Sequence, residues 1–106
     1  MNTNFLDNLH ANMEALKSKM VILREQAERA DDTSRVLWKR VQELEVDKLA
    51  TDEELDRAYN EYEEAYDAYA EARELYDSCE AMLDHLLEVA SELARATEWY
   101  GLNLGE

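Results

Sequence analysis

The amino-acid sequence predicts an all-α protein, a long antiparallel two-helix coiled-coil hairpin that dimerises into a four-helix bundle. Three observations lead to this fold class. The 106 residues contain no Pro and two Gly, both within the last six positions, so no strong helix breaker precedes Gly101. Apolar residues follow two unbroken heptad runs. These two runs match each other when the chain is folded back at a single turn.

The first heptad run defines helix 1, over about residues 4–48. Its seam positions a and d alternate at intervals of three and four residues without a slip, which indicates one long helix. They are Leu6, Leu9, Met13, Leu16, Met20, Leu23, Ala27, Ala30, Ser34, Leu37, Val41 and Leu44. The four weak helix formers Asp31-Asp32-Thr33-Ser34 favour a competing three-helix arrangement, broken near Asp32. The retained heptad phase favours continuity, and a local kink or bend at these residues is the open alternative.

The second run defines helix 2, over about residues 52–100, after a turn at about 49–51. Thr51 can cap the helix and Glu54 can reach back to it, as in a capping box. Gly101 suits the left-handed position that ends the helix, which leaves a short tail at 101–106. Residues 1–106 thus form a single helical hairpin. The second seam comprises Leu55, Ala58, Tyr62, Ala65, Tyr69, Ala72, Tyr76, Cys79, Leu83, Leu86, Ala90 and Leu93.

The register of the hairpin follows from these two runs. In an antiparallel pair, the residue numbers of facing seam positions have a constant sum, and all twelve layers from Leu44 with Leu55 to Leu6 with Leu93 share the sum 99. The midpoint of that sum falls in the predicted turn. Small pairs such as Ala27 with Ala72 make a narrow waist, where the backbones could approach or neighbouring Tyr rings could fill the space.

A single seam between two helices has little interior, whereas ordering each residue costs on the order of 1.5 kcal/mol. We therefore expect apolar residues outside the seam to be covered by a second copy of the chain, with a hetero-partner over the same stripe as the alternative. The predicted dimer interface comprises Val21, Ile22, Trp38, Leu75, Met82, Leu87 and Val89.

The formal net charge of -15 is concentrated in helix 2. Residues 1–48 carry nine acids and eight bases, whereas residues 49–106 carry 17 acids and three Arg. This excess repels phosphate and excludes direct binding of nucleic acid through the bulk surface. One interpretation is a solvated face that keeps a coiled coil soluble. However, helix 2 has few bases for i to i+4 pairing, so its charges repel at a cost that solubility alone would not require.

The charge, size and shape resemble acidic proteins known as DNA mimics, often small phage products that block restriction, repair or CRISPR machinery. That resemblance implies a non-enzymatic inhibitor that binds and blocks a basic, nucleic-acid-binding surface of a partner protein. Tyr59 and Tyr66 lie among acids and suit an Arg-rich surface. The predicted partner-binding residues are Tyr59, Glu63, Glu64, Tyr66, Asp67, Glu71, Glu74 and Asp77. The alternative is a structural or assembly coiled-coil adaptor whose acidic face only provides solvation.

Other function classes find less support in the sequence. The two Gly residues lie in the tail, so there is no phosphate loop, and no catalytic residue, cofactor or metal ligand is predicted. The single Cys79 is expected in the seam opposite Met20. The longest apolar run is too short to span a membrane, so we expect no membrane contact and a cytoplasmic location.

Length and topology also resemble the small secreted helical hairpins of Gram-positive type VII export systems. Those proteins carry Trp-x-Gly at the turn. Here Trp38-Lys39-Arg40 is followed by predicted helix, so that signature is missing.

Overall fold

The protein is a hairpin of two long α-helices, α1 (Asn2–Val46) and α2 (Asp52–Tyr100). The computed structural model describes the backbone of residues 2–100 and the side chains of residues 5–96 and 98. This part of the chain contains no strand. The predicted all-α helical hairpin is therefore confirmed, while dimerisation stays a prediction. The predicted helix end at Gly101 and the tail at 101–106 lie outside the described residues.

The core of the hairpin is the predicted heptad seam. All 24 seam residues are buried or half-buried. Val41 is the largest side chain that is fully buried, at 0% exposure. Among the described residues, every buried one belongs to the seam: Leu9, Met13, Leu23, Ala27, Ser34, Val41, Ala58, Ala72 and Cys79. A period of 3.5 residues was thus sufficient to identify the inward side of both helices.

The helix α1 continues through its segment of weak helix formers. The hydroxyl of Thr33 donates to the carbonyl of Arg29 at 2.9 Å, and that of Ser34 donates to the carbonyl of Asp31 at 2.8 Å. Each hydroxyl is therefore satisfied inside the helix. The Asp31 carboxylate also pairs with Arg35 at 3.1 Å, one turn later. The competing three-helix arrangement, broken near Asp32, is wrong.

The helix α1 ends at Val46, two residues before the predicted end at 48. The cause is Asp47, whose backbone N–H donates to the Leu44 carbonyl at 3.3 Å. Its carboxylate accepts the N–H of Leu49 at 2.9 Å, and its carbonyl accepts the N–H of Ala50 at 3.2 Å. An Asp side chain that binds the backbone two residues later favours a turn over another helical residue.

The start of α2 has the predicted cap. The Thr51 hydroxyl accepts the backbone N–H of Glu54 at 3.1 Å, and the Thr51 carbonyl accepts the N–H of Leu55 at 3.1 Å. Three acids, Asp52, Glu53 and Glu54, occupy the first turn, where the helix dipole favours negative charge.

The hairpin divides into two compact units. The terminal unit comprises Met1–Ile22 with Tyr76–Glu106, and the turn unit comprises Leu23–Leu75. Within each unit, the e positions of the two helices lie along one flank of the seam and the g positions along the other, as in any antiparallel coiled coil. These e and g flanks of the turn unit carry the features described next. No helix in the described residues is long and apolar enough to cross a membrane.

Candidate partner-binding faces

Five aromatic rings form a connected row on the e flank of the turn unit, here called the aromatic ladder. Ring centroids are 5.0 Å apart between Trp38 and Tyr62, and 6.3 Å apart between Trp38 and Tyr59. The row continues from Tyr62 to Tyr66 at 6.1 Å and from Tyr66 to Tyr69 at 6.3 Å. All four spacings lie in the range in which aromatic pairs attract each other. The ladder therefore ties α1 to α2 on one flank of the seam.

Heptad positions explain why the rings meet. Trp38, Tyr59 and Tyr66 occupy e positions, and Tyr62 and Tyr69 occupy a positions of the seam. The seam tyrosines are only half-buried. Because a tyrosine ring is longer than the narrow seam, it can extend toward the flank and meet an e-position ring there.

Both ends of the ladder make polar contacts. The hydroxyl of Tyr59 donates a hydrogen bond to the carboxylate of Glu45 on α1. This hydrogen bond, with burial and the negative charge of Glu45 as lesser causes, raises the pKa of Tyr59 above its ordinary value of 10.0. At the other end, the guanidinium of Arg73 donates to the hydroxyl of Tyr69 at 3.5 Å, a long and weak contact.

The middle of the ladder is open to solvent. Tyr66 is 51% exposed and Trp38 is 39% exposed. The exposed carboxylates of Glu63 and Asp67 directly follow Tyr62 and Tyr66 in the sequence. The ladder thus presents aromatic faces next to negative charge, a combination that suits a guanidinium or ammonium group.

The structure brings together residues that the sequence predicted for different surfaces. Trp38, predicted for the dimer interface, lies in the same ladder as Tyr59 and Tyr66, predicted for partner binding. The sequence-based predictions missed the contacts of Trp38 with Tyr59 and Tyr62. The e position of Trp38, directly after seam residue Leu37, could have indicated them. The predicted carboxylates are all exposed: Glu63, Glu64, Asp67, Glu71, Glu74 and Asp77.

The negative charge of α2 is not neutralised by ion pairs. In the described part of the chain both ion pairs lie within α1, Lys17 with Glu14 at 3.2 Å and Arg35 with Asp31 at 3.1 Å. In the turn unit, α2 contributes ten acids and two Arg. Its carboxylates are therefore exposed, and none of them belongs to either ion pair of the described residues.

A second feature lies on the g flank of the turn unit, here called the alanine groove. It is an open, mainly apolar depression with a volume of about 380 Å³. The two helices line it with Gln26, Ala30, Ala68, Glu71, Ala72 and Leu75. The rings of Tyr62, Tyr66 and Tyr69 meet on the e flank, so they do not fill this side of the narrow waist. Glu71 and Leu75, predicted for different surfaces, are thereby brought together.

The remaining predicted dimer residues belong to the terminal unit. Val21, Ile22, Met82 and Leu87 are exposed, whereas Val89 is half-buried. The free thiol of Cys79 is buried, in its predicted seam position. Among the described residues, no group of three or more His, Cys, Asp or Glu side chains is placed to hold a metal ion.

No protein-family model matches the chain, and comparison with curated proteins and with solved structures gave no match.

Proposed function

We propose that this protein is a non-enzymatic inhibitor that binds and blocks a basic, nucleic-acid-binding surface of another protein. The observation that carries the proposal is the unpaired charge of α2. Ten carboxylates and two Arg occupy its part of the turn unit, and the ion pairs of the described residues are confined to α1. Because like charges on one helix repel, this arrangement lowers the stability of the free protein. A basic partner would relieve the repulsion on binding.

The aromatic ladder supports a partner that offers arginine. A guanidinium can stack on an aromatic ring and donate to a carboxylate at the same time. Tyr66, with Glu63 and Asp67 nearby in the sequence, provides both kinds of group on the exposed side of α2. The protein's own Arg73 already lies beside Tyr69 at the end of the ladder. Inhibition would then be competitive, since the acids occupy the positions that phosphates take on the partner.

The proposal is tested with a fluorescent peptide of nine arginines bound to duplex DNA. The protein is expected to release the peptide from the duplex, and its affinity for the peptide should fall steeply with salt between low and physiological concentrations. The variant E63Q/E64Q/D67N should bind the peptide at least about tenfold more weakly, because it lacks three of the unpaired charges.

A matched control removes the same amount of charge from α1. The variant E25Q/E28Q/E43Q neutralises three exposed carboxylates outside the two ion pairs and should bind almost as tightly as the unmodified protein. Equal losses in the two triple variants, or binding that does not depend on salt, would contradict the proposal. Such a result would favour an assembly coiled coil whose acids only provide solvation.

Substitutions of Tyr66 test whether the ladder recognises arginine. Replacing Tyr66 with Leu keeps an apolar side chain but removes the aromatic face, so affinity for the arginine peptide should fall. Tyr66→Phe, which keeps that face, should bind normally. A nine-lysine peptide should lose less than the arginine peptide in Y66L, because arginine stacks better on aromatic rings. No loss for either peptide would show that only charge is recognised, and an equal loss for both would show that the ladder does not prefer arginine.

A further inference from the structure

The alanine groove is an apolar depression that its own chain leaves open. Leu75 stands at its edge with 43% of its surface exposed, and Ala30, Ala68 and Ala72 are too small to fill the space. A surface that covers the depression would remove this apolar area from water.

We propose that a second copy of this chain covers the groove, with Leu75 of each copy seated in the groove of the other. In a twofold dimer the same surface appears on both partners, so a surface must offer both the protruding group and its cavity. The alanine groove and Leu75 meet this condition. The proposal does not need the inhibitor function: among the residues predicted for partner binding it uses Glu71 alone, and it leaves the ladder on the e flank free.

The charges on the two helices determine how the copies face each other. Arg29 follows Gln26 by three residues and so lies on the same side of α1, next to the groove. Glu71 lines the groove on α2. Neither side chain belongs to an ion pair of the described residues. The groove thus has a basic residue on its α1 side and an acidic residue on its α2 side.

Two twofold arrangements can bring one groove against the other. A twofold axis perpendicular to the helices would place α2 of one copy on α2 of the other. The ten acids that α2 of each copy carries in this unit would then repel. An axis along the helices places α1 of one copy on α2 of the other, with the two turns at the same end. Only the second arrangement brings Arg29 close to Glu71 of the partner subunit, and the dimer takes this form.

The experiment is a reciprocal charge exchange measured by sedimentation equilibrium at micromolar concentration. The unmodified protein should sediment with twice its 12.4 kDa mass. R29E and E71R should each dimerise at least about tenfold more weakly, because each places like charges at both symmetric contacts. An equimolar mixture of the two variants should recover dimerisation, since both contacts then join opposite charges. The double variant R29E/E71R should also recover it.

Controls on other surfaces show whether the effect belongs to the groove. E74R changes an exposed carboxylate of α2 that does not line the groove, and Y66L changes the ladder; both should dimerise normally. Far-UV circular dichroism of each single variant confirms that it is helical before mixing. A monomeric unmodified protein, no recovery in the mixture, or dimerisation lost in Y66L and kept in E71R would overturn the proposal.

Discussion

Trp38 shows how much a single heptad position decides. It follows Leu37 of the seam, and its indole reaches across to Tyr59 and Tyr62 on the other helix. An indole on the outward side of α1 would meet solvent instead. Because Trp38 is distant in sequence from both tyrosines, these two contacts join α1 to α2 by packing outside the seam.

The hydrogen bond between Tyr59 and Glu45 predicts a local pH response. The raised pKa means that the folded protein keeps the phenolic proton above pH 10, where the unfolded chain loses it. The resulting stability is present below pH 10 and is lost as the pH rises through the folded-state pKa. Replacing Glu45 with Gln should lower the pKa of Tyr59 toward 10, because the negative charge and the carboxylate acceptor are removed.

This pKa can be measured from the tyrosinate absorbance, as the difference between each protein and its Tyr59→Phe counterpart. E43Q removes a nearby exposed carboxylate that does not contact Tyr59, and it should leave the titration unchanged. An equal shift in E43Q and E45Q would show that general charge, rather than the hydrogen bond, sets the pKa.

At the scale of the element, α1 keeps its helix through a segment whose residues favour caps. The hydroxyls of Thr33 and Ser34 bond to carbonyls of the preceding turn, and Ser34 is buried in the seam. Packing of the seam therefore outweighs the local preference, which amounts to a few tenths of a kcal/mol per residue.

A proline exchange tests this continuity. Asp32→Pro should cost about 3 kcal/mol or more in the free energy of unfolding, because it removes an internal helical hydrogen bond and clashes with the preceding turn. Asp52→Pro is the matched control: Asp52 is the first residue of α2, after the Thr51 cap, where proline is tolerated. Urea denaturation at one protein concentration compares the two. Equal tolerance of both would mean that Asp32 also starts a helix.

The sequence was informative about α1 and α2 because their seam repeats without a slip. Every residue from Leu6 to Leu93 that the heptads assigned to the seam is buried or half-buried. The end of α1 was less predictable, since Asp47 uses its side chain and backbone to close the turn. A side-chain hydrogen bond of this kind competes with the helix locally and leaves no periodic signal.

At the scale of the whole molecule, the candidate faces were harder to predict than the seam. Trp38 and Tyr59 were predicted for separate surfaces, although both occupy e positions and therefore lie on the same flank of the seam. The sequence predicted a narrow waist at Ala27 with Ala72, but it left open whether the backbones approach there or neighbouring Tyr rings fill the space. In the structure the rings of Tyr62, Tyr66 and Tyr69 meet on the e flank, and the groove on the g flank stays open.

The charge of the whole chain predicts that salt stabilises it. With a net charge of -15 and α2 unpaired, raising NaCl from about 0.05 to 0.5 M should increase the free energy of unfolding by roughly 1 kcal/mol, because screening weakens the repulsion. Urea is the suitable denaturant, since it adds no ions. Protein concentration is held fixed, so that dimerisation does not vary between samples.

The triple variant E63Q/E64Q/D67N is the comparison for the salt effect. It lacks three of the repelling charges, so its stability should depend less on salt than that of the unmodified protein. A stability that is flat with salt in both proteins would mean that the acids of α2 do not strain the free molecule.

The buried thiol of Cys79 makes local opening of the seam measurable by alkylation. It is the sole cysteine of the chain and is 7% exposed, so an alkylating reagent reaches it only when the surrounding helices separate. The rate of alkylation under native conditions, divided by the rate for the unfolded chain, gives the population of the opened state. This one residue, without an attached probe, thus reports the fraction of molecules in which the seam around it is open.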